Sequence, residues 1–264
     1  MPWKITPLDL GAVELDASRT VMTQKPGTLV QARVQSFLLT GGEVPVVVDT
    51  GFRHPDILKR LGMRGFERPD QRLEAQLATH GFKPADIPVV IQTHLHIDHA
   101  GQTDIFPMAT TVVINRRELE YSVSGLSGAS YPPEDIIHVI NRLHTPNALR
   151  LLDLEETGGE EVLAGLRCVA AGGHTEGSLV IYVETAGGLA CLCGDILYNI
   201  REQLMAATML HTDPVTSGNF VNTRRSEKAA IKRVLNSGIR FLYPSHDGPA
   251  TVEHGKVVRL GVEA

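Results

Sequence analysis

Four side chains able to ligate a metal fall close together in Thr93-His94-Leu95-His96-Ile97-Asp98-His99-Ala100-Gly101. The whole chain of 264 residues has 11 histidines, so three in this short window form a concentration that no helix or strand requires. Neutral imidazole and carboxylate are the donor set of zinc and its borderline relatives. The preceding run, Ile87-Pro88-Val89-Val90-Ile91, is short and apolar and predicts a buried strand. On extended chain leaving that strand, His94 and His96 project the same way, because side-chain direction repeats every second residue. Asp98 and His99 break the alternation, and a helical curl there would turn them toward a second position. The motif therefore suits two neighbouring metals.

Two metals need more donors. His174 lies in the glycine-rich Ala171-Gly172-Gly173-His174-Thr175-Glu176-Gly177-Ser178, after the strand-like Leu166 to Ala170. Asp195 ends the apolar stretch Leu189 to Cys193, an expensive place for a lone charge unless cations offset it. His246 follows another apolar run, Ile239 to Tyr243. Each alone reads as an ordinary turn residue. Strand, loop and donor recurring four times make the pattern.

The order H-x-H-x-D-H, then His, Asp and His resembles the metallo-β-lactamase superfamily. The resemblance runs from Val46-Val47-Val48-Asp49-Thr50-Gly51 to His246. It implies an α+β four-layer αβ/βα sandwich carrying two divalent metal ions, zinc first among them, at one sheet edge. It implies His94, His96 and His174 on one metal, Asp98, His99 and His246 on the other, and Asp195 as the bridge. Asp49 resembles the carboxylate that orients the motif loop, the kind of partner that fixes the aim of a ligating imidazole.

Zinc brings the pKa of bound water to about 7, and two metals about 3.5–4 Å apart can hold the resulting hydroxide. That is the chemistry of ester-like or amide-like hydrolysis without a covalent intermediate. Within the superfamily, β-lactamases carry cysteine where Asp195 stands. Thioesterases of the glyoxalase II type have a helical C-terminal extension, whereas 18 residues follow His246 here. The transfer-RNA nucleases use a basic arm for which no block of residues is present. Tyr198, three residues after Asp195, resembles the tyrosine of the N-acyl homoserine lactonases, whose phenol meets the carbonyl oxygen as it becomes an oxyanion. The implied activity is lactone hydrolysis: Asp98 carries the proton to the leaving alkoxide and Tyr198 steadies the oxyanion. A carboxylate-bearing or aromatic lactone, or an open ester or thioester, is the alternative substrate. Candidate substrate contacts are Met22 and the stretch Leu126 to Tyr131 for an apolar arm, and Arg201, Arg224 and Arg225 for a carboxylate.

The remaining composition suits a compact enzyme, read as one domain over residues 1–264. Net charge is −5 and the pI about 6.1, which gives no general attraction to nucleic acid. Apolar runs of five or six residues are too short to span a bilayer. The N-terminus lacks a secretory apolar stretch, and Cys168, Cys191 and Cys193 read as reduced, core-filling thiols of a cytoplasmic protein. Residues 15–30 read as a long loop able to reach across a homodimer. Strands are expected at 3–14, 31–50, 111–114, 166–170, 178–184 and 188–193. Helices are expected at 55–61, 71–80, 116–121, 133–143 and 226–235.

Overall fold

The computed structural model describes residues 2–219 and 222–262, so the ends of the single unit expected over 1–264 lie outside the described residues. The chain first lays down β1 (Lys4–Asp16), β2 (Leu29–Thr40), β3 (Val46–Val48), β4 (Arg64–Phe66), β5 (Val89–Ile91), β6 (Thr111–Asn115) and β7 (Leu149–Leu152). These form one sheet in the order β4-β1-β2-β3-β5-β6-β7. The second sheet takes β8 (Glu160–Leu163), β9 (Leu166–Ala170), β10 (Leu179–Thr185), β11 (Gly188–Gly194), β12 (Phe241–Pro244), β13 (Ala250–Glu253) and β14 (Lys256–Leu260). Its order is β14-β13-β12-β11-β10-β9-β8. The helices are α1 (Ala17–Thr20), α2 (Leu73–Thr79), α3 (Arg116–Ser122), α4 (Pro133–Arg142), α5 (Leu154–Thr157), α6 (Ala206–Leu210) and α7 (Arg224–Leu235), with 3-10 turns such as Pro55–Leu61 between them.

The period of two in the strands distributes side chains into three apolar layers. Val46 and Val48 face the space between the sheets, where they meet Leu179, Ile181 and Leu192. Val47 faces the opposite way, into the layer under α2 and α4 with Leu73, Leu77 and Val139. On β11, Cys191 and Cys193 pack beneath α7 with Ala230, Ile231 and Val234, while Ala190 and Leu192 point between the sheets. Helix, sheet, sheet, helix is the four-layer sandwich expected from the sequence. All three cysteines are buried free thiols.

Several boundaries differ from expectation. The expected strand 31–50 is two strands, broken by the turn Gly41-Gly42-Glu43. The expected 15–30 loop is shorter, because β1 continues to Asp16 and pairs with Leu29 of β2. The helical segment Arg201–Leu210 and the hairpin β13–β14 were not anticipated, nor were the short elements α1, β4, α5 and β8. No helix among the described residues is long and apolar enough to cross a membrane.

Candidate metal centre

The parallel strands β3, β5 and β6 run side by side and end at one edge. The loops after β5, β9, β11 and β12 deliver the expected donors there, and the loop after β3 brings Asp49 behind them. After β5 the chain stays extended through His94 and His96. It then closes a tight turn in which the His99 and Ala100 amides donate to the His96 carbonyl, at 2.9 and 3.1 Å. The curl expected from the sequence is this single turn, and it swings Asp98 and His99 to the far side of His94. Gly101 permits it: a Cβ there would sit 2.2 Å from the Arg53 backbone nitrogen.

The seven expected donors converge. His174 Nε2 stands 3.0 Å from both His94 Nε2 and His96 Nδ1. Asp195 occupies the middle: its Oδ1 is 3.2 Å from His99 Nε2, and its Oδ2 is 3.2 Å from His246 Nε2 and 3.6 Å from His174 Nε2. Asp98 Oδ2 lies 3.6 Å from His246 Nε2. The donors group as His94–His96–His174, His94–His99–Asp195 and Asp98–His99–His246, with the ligand atoms of each group within 4.8 Å of one another. His99 Nε2 and Asp195 Oδ1 are buried with no hydrogen-bond partner. Native proteins rarely leave such atoms orphaned, and an ion is among the standing explanations. Nitrogen and oxygen donors this close, with buried atoms unmatched, fit a pair of divalent cations.

Behind the donors stand groups that fix their aim. Asp49, fully buried, accepts from the Thr93 amide and hydroxyl at 2.7 Å each and faces His99 Nδ1 at 2.9 Å. The Thr93 hydroxyl in turn lies 3.0 Å from His94 Nδ1. The Arg33 carbonyl accepts from His246 Nδ1. His174 Nδ1 is flanked by the Asn219 amide at 2.8 Å and the Tyr198 hydroxyl at 3.3 Å. In each of these histidines the nitrogen away from the cluster is occupied, which leaves Nε2 directed inward.

The charge field divides the five imidazoles. Burial and neighbouring imidazoles hold the pKa of His94 far below its ordinary value, and burial likewise depresses His174. Burial lowers His96 to about 4. Burial also opposes a proton on His99 and His246, but the carboxylates beside them outweigh it and raise both. Burial would raise Asp195, yet the imidazoles around it pull its carboxyl far below the usual range. Burial and the neighbouring Asp195 charge push the Tyr198 phenol upward, so it remains a neutral donor.

The cluster opens into a cavity of about 410 Å³. Asp98 and Tyr198 border it, and Val13, Leu15, Ala32, Leu61 and Met63 form an apolar wall. Ser127 to Ser130, inside the expected Leu126–Tyr131 stretch, also line it. The other expected substrate contacts require correction. Met22 is half-buried beneath Thr216, whose hydroxyl meets its sulfur, and does not border the cavity. Arg201 is exposed on the helical segment after Tyr198, and Arg224 and Arg225 border a separate depression with Asp213, Lys228 and Lys232. Strand ends fix where the expected donors go, whereas nothing in the local pattern fixes which way those loops and the α7 start face. The cation that does line the cavity is Arg19, beside Leu61, whose carbonyl accepts from its guanidinium. Sequence reasoning missed Arg19, Asn219 and Glu118.

The chain belongs to the metallo-beta-lactamase superfamily, whose family model matches residues 31–251. Among individual relatives, an N-acyl homoserine lactonase of Bacillus cereus is 31% identical over 198 residues, covering 71% of this chain and 73% of that protein. Solved structures agree in fold. An N-acyl homoserine lactone hydrolase with the product N-hexanoyl-L-homoserine at its catalytic metal center superposes with a TM-score of 0.72 at 23% identity, over 94% of each chain. AidC, a dizinc quorum-quenching lactonase, superposes with a TM-score of 0.69 at 16% identity, over 99% of this chain and 95% of that one.

Proposed function

We propose that this protein hydrolyses a small lactone, an N-acyl homoserine lactone first, with two divalent metal ions, zinc first. His94, His96 and His174 would hold one ion and Asp98, His99 and His246 the other, with Asp195 between them. The observation that carries the reading is the central Asp195: its carboxylate faces His99, His246 and His174 within 3.6 Å while its Oδ1 has no hydrogen-bond partner. Kinship with the Bacillus cereus lactonase supports the choice of substrate. The bound metals would supply a Lewis acid and a water activated at neutral pH.

The protein's own groups do the rest. The neutral Tyr198 phenol donates to the carbonyl oxygen as charge gathers there, a contribution of a few kcal/mol for a preorganised donor. Asp98, half-buried at the cavity edge, takes a proton and delivers it to the departing ring oxygen. The wall from Val13 to Met63 excludes water and receives an acyl arm. Buried, unpaired thiols support a reducing cytoplasmic setting. Arg19 favours a second reading, a lactone whose arm ends in an acceptor or a carboxylate.

The test is a panel of acyl homoserine lactones, simple γ- and δ-lactones, an aryl ester and a thioester, run on stripped and on metal-reconstituted protein. Lactone turnover that returns with metal and exceeds ester and thioester turnover is expected. Thioester hydrolysis without lactone hydrolysis would overturn the reading.

A further inference from the structure

Glu118 belongs to no donor set, yet its carboxylate is almost wholly enclosed at 1% exposure. Its Oε1 accepts from the Leu95 amide at 2.9 Å and the Tyr131 hydroxyl at 3.0 Å. Its Oε2 accepts from the Thr175 hydroxyl at 2.6 Å, and the Gly177 amide also donates to the carboxylate. A carboxylate has about four lone-pair sites, so this one is saturated.

The donors are not a random set. Leu95 is the residue between His94 and His96, and Thr175 directly follows His174. Tyr131 packs its ring on His96 at 4.9 Å between centroids. Gly177 lies so close to α3 that a Cβ would fall 1.9 Å from the Glu118 nitrogen, and its carbonyl accepts from Asn115. One buried side chain thus ties together the two loops that bring His94, His96 and His174 to one point. The other four histidine ligands aim through a partner on their own ring nitrogen, whereas His96 Nε2 has none. Its position therefore depends on the backbone amide beside it and on the Tyr131 ring, and both are held by Glu118.

We propose that Glu118 is the positioning residue of the His94–His96–His174 half of the centre and acts on metal affinity at that half alone. Asp49 anchors the His99 side and reaches His94 through Thr93, so the two buried carboxylates divide the labour. This inference rests on the reading that the cluster holds two metals.

The isosteric change Glu118→Gln is informative because it removes the charge and replaces one acceptor oxygen with an N–H donor, in a pocket where donors meet both oxygens. The experiment is titration of the metal-stripped full-length protein with cobalt(II) against a competing chelator, with the cobalt absorption spectrum recorded at each equivalent. Wild type is expected to bind two equivalents. Glu118→Gln is expected to bind one with wild-type affinity and the other about 10- to 100-fold more weakly, the scale for loss of a supporting group. Thr175→Val, which removes one donor and leaves the carboxylate in place, should weaken the same equivalent to a smaller degree. It decides the matter if Glu118→Gln lacks a cooperative melt. Two tight equivalents in the variants, or equal weakening of both, overturns the assignment. A wild-type protein that binds no cobalt instead removes the two-metal reading beneath it.

Discussion

Asp49 and His99 meet in a fully enclosed contact, Oδ2 to Nδ1 at 2.9 Å, at the point where β3 ends and the chain takes a left-handed step at Asp49 (φ 58°). The same carboxylate receives the Thr93 amide and hydroxyl. It therefore fixes one imidazole directly and, through the Thr93 hydroxyl, the tautomer of His94. Asp49→Asn keeps the size but puts an amide opposite donors. Metal affinity should fall about 10- to 100-fold, measured by chelator competition. An unchanged affinity would show that Thr93 and the backbone suffice.

Asp98 and Tyr198 should separate cleanly in kinetics. Asp98 is both a donor and the proposed proton carrier, so Asp98→Asn should abolish most turnover while the His94–His96–His174 set still retains metal. Tyr198→Phe removes only a hydrogen bond that strengthens as the oxyanion forms. It should lower kcat by about ten- to a thousandfold with KM little changed. Lactone turnover by Tyr198→Phe equal to wild type would remove the tyrosine from the mechanism.

The convergence of the seven side chains was legible in the sequence because each lies in a loop that follows a short apolar strand: His94 to His99 after β5, His174 after β9, Asp195 after β11 and His246 after β12. The cavity walls were not, because they come from distant parts of the chain: Val13 and Leu15 on β1, Ala32 on β2, and Leu61 and Met63 around the turn after Pro55. Glu118 was concealed in Arg116-Arg117-Glu118-Leu119-Glu120, which looks like a solvated helix face. A signal existed: Glu118, Tyr121 and Ser122 fall at i, i+3 and i+4 on α3, and all three are buried. The helical segment Arg201–Leu210 escaped notice because its apolar residues do not share a face; Met209 and Leu210 are largely exposed at its end.

Gly101 should tolerate no side chain. A Cβ would meet backbone atoms of Phe52 and Arg53 at 2.6 and 2.2 Å, and backbone cannot yield as a flexible side chain does. Gly101→Ala should cost about 1–3 kcal/mol, the range for overpacking, in chemical denaturation of the metal-free protein. Because the displaced turn carries His99, metal affinity should fall in the same variant.

The cysteines give a check on packing that is independent of metal. The thiolate is the reactive form. Burial pushes Cys168 up to about 12 and Cys191 and Cys193 upward as well. At pH 8 the native protein should therefore show no thiol reactive toward a disulfide reagent, and three after denaturation. Rapid labelling of any native thiol would mean that β9 or β11 is not packed as described.

Arg19 decides between the two substrate readings. The Asp16 carboxylate, which feels the Arg19 charge, is already engaged by the Ser18 amide and hydroxyl and by the Gly27 amide. Only one carbonyl, that of Leu61, accepts from the guanidinium in the described residues, and the group carries five N–H donors. A carboxylate at the end of an acyl arm would add a charge-assisted, bidentate contact, roughly twice the strength of a neutral hydrogen bond. The measurement is the ratio of kcat/KM for two acyl homoserine lactones of equal arm length, one ending in a carboxylate and one in a methyl group. If Arg19 reads the arm, the ratio favours the carboxylate in wild type, and Arg19→Met brings it down by at least tenfold. If the methyl-terminated lactone is preferred and the ratio is insensitive to Arg19→Met, the apolar wall sets specificity and the plain acyl arm is the natural fit.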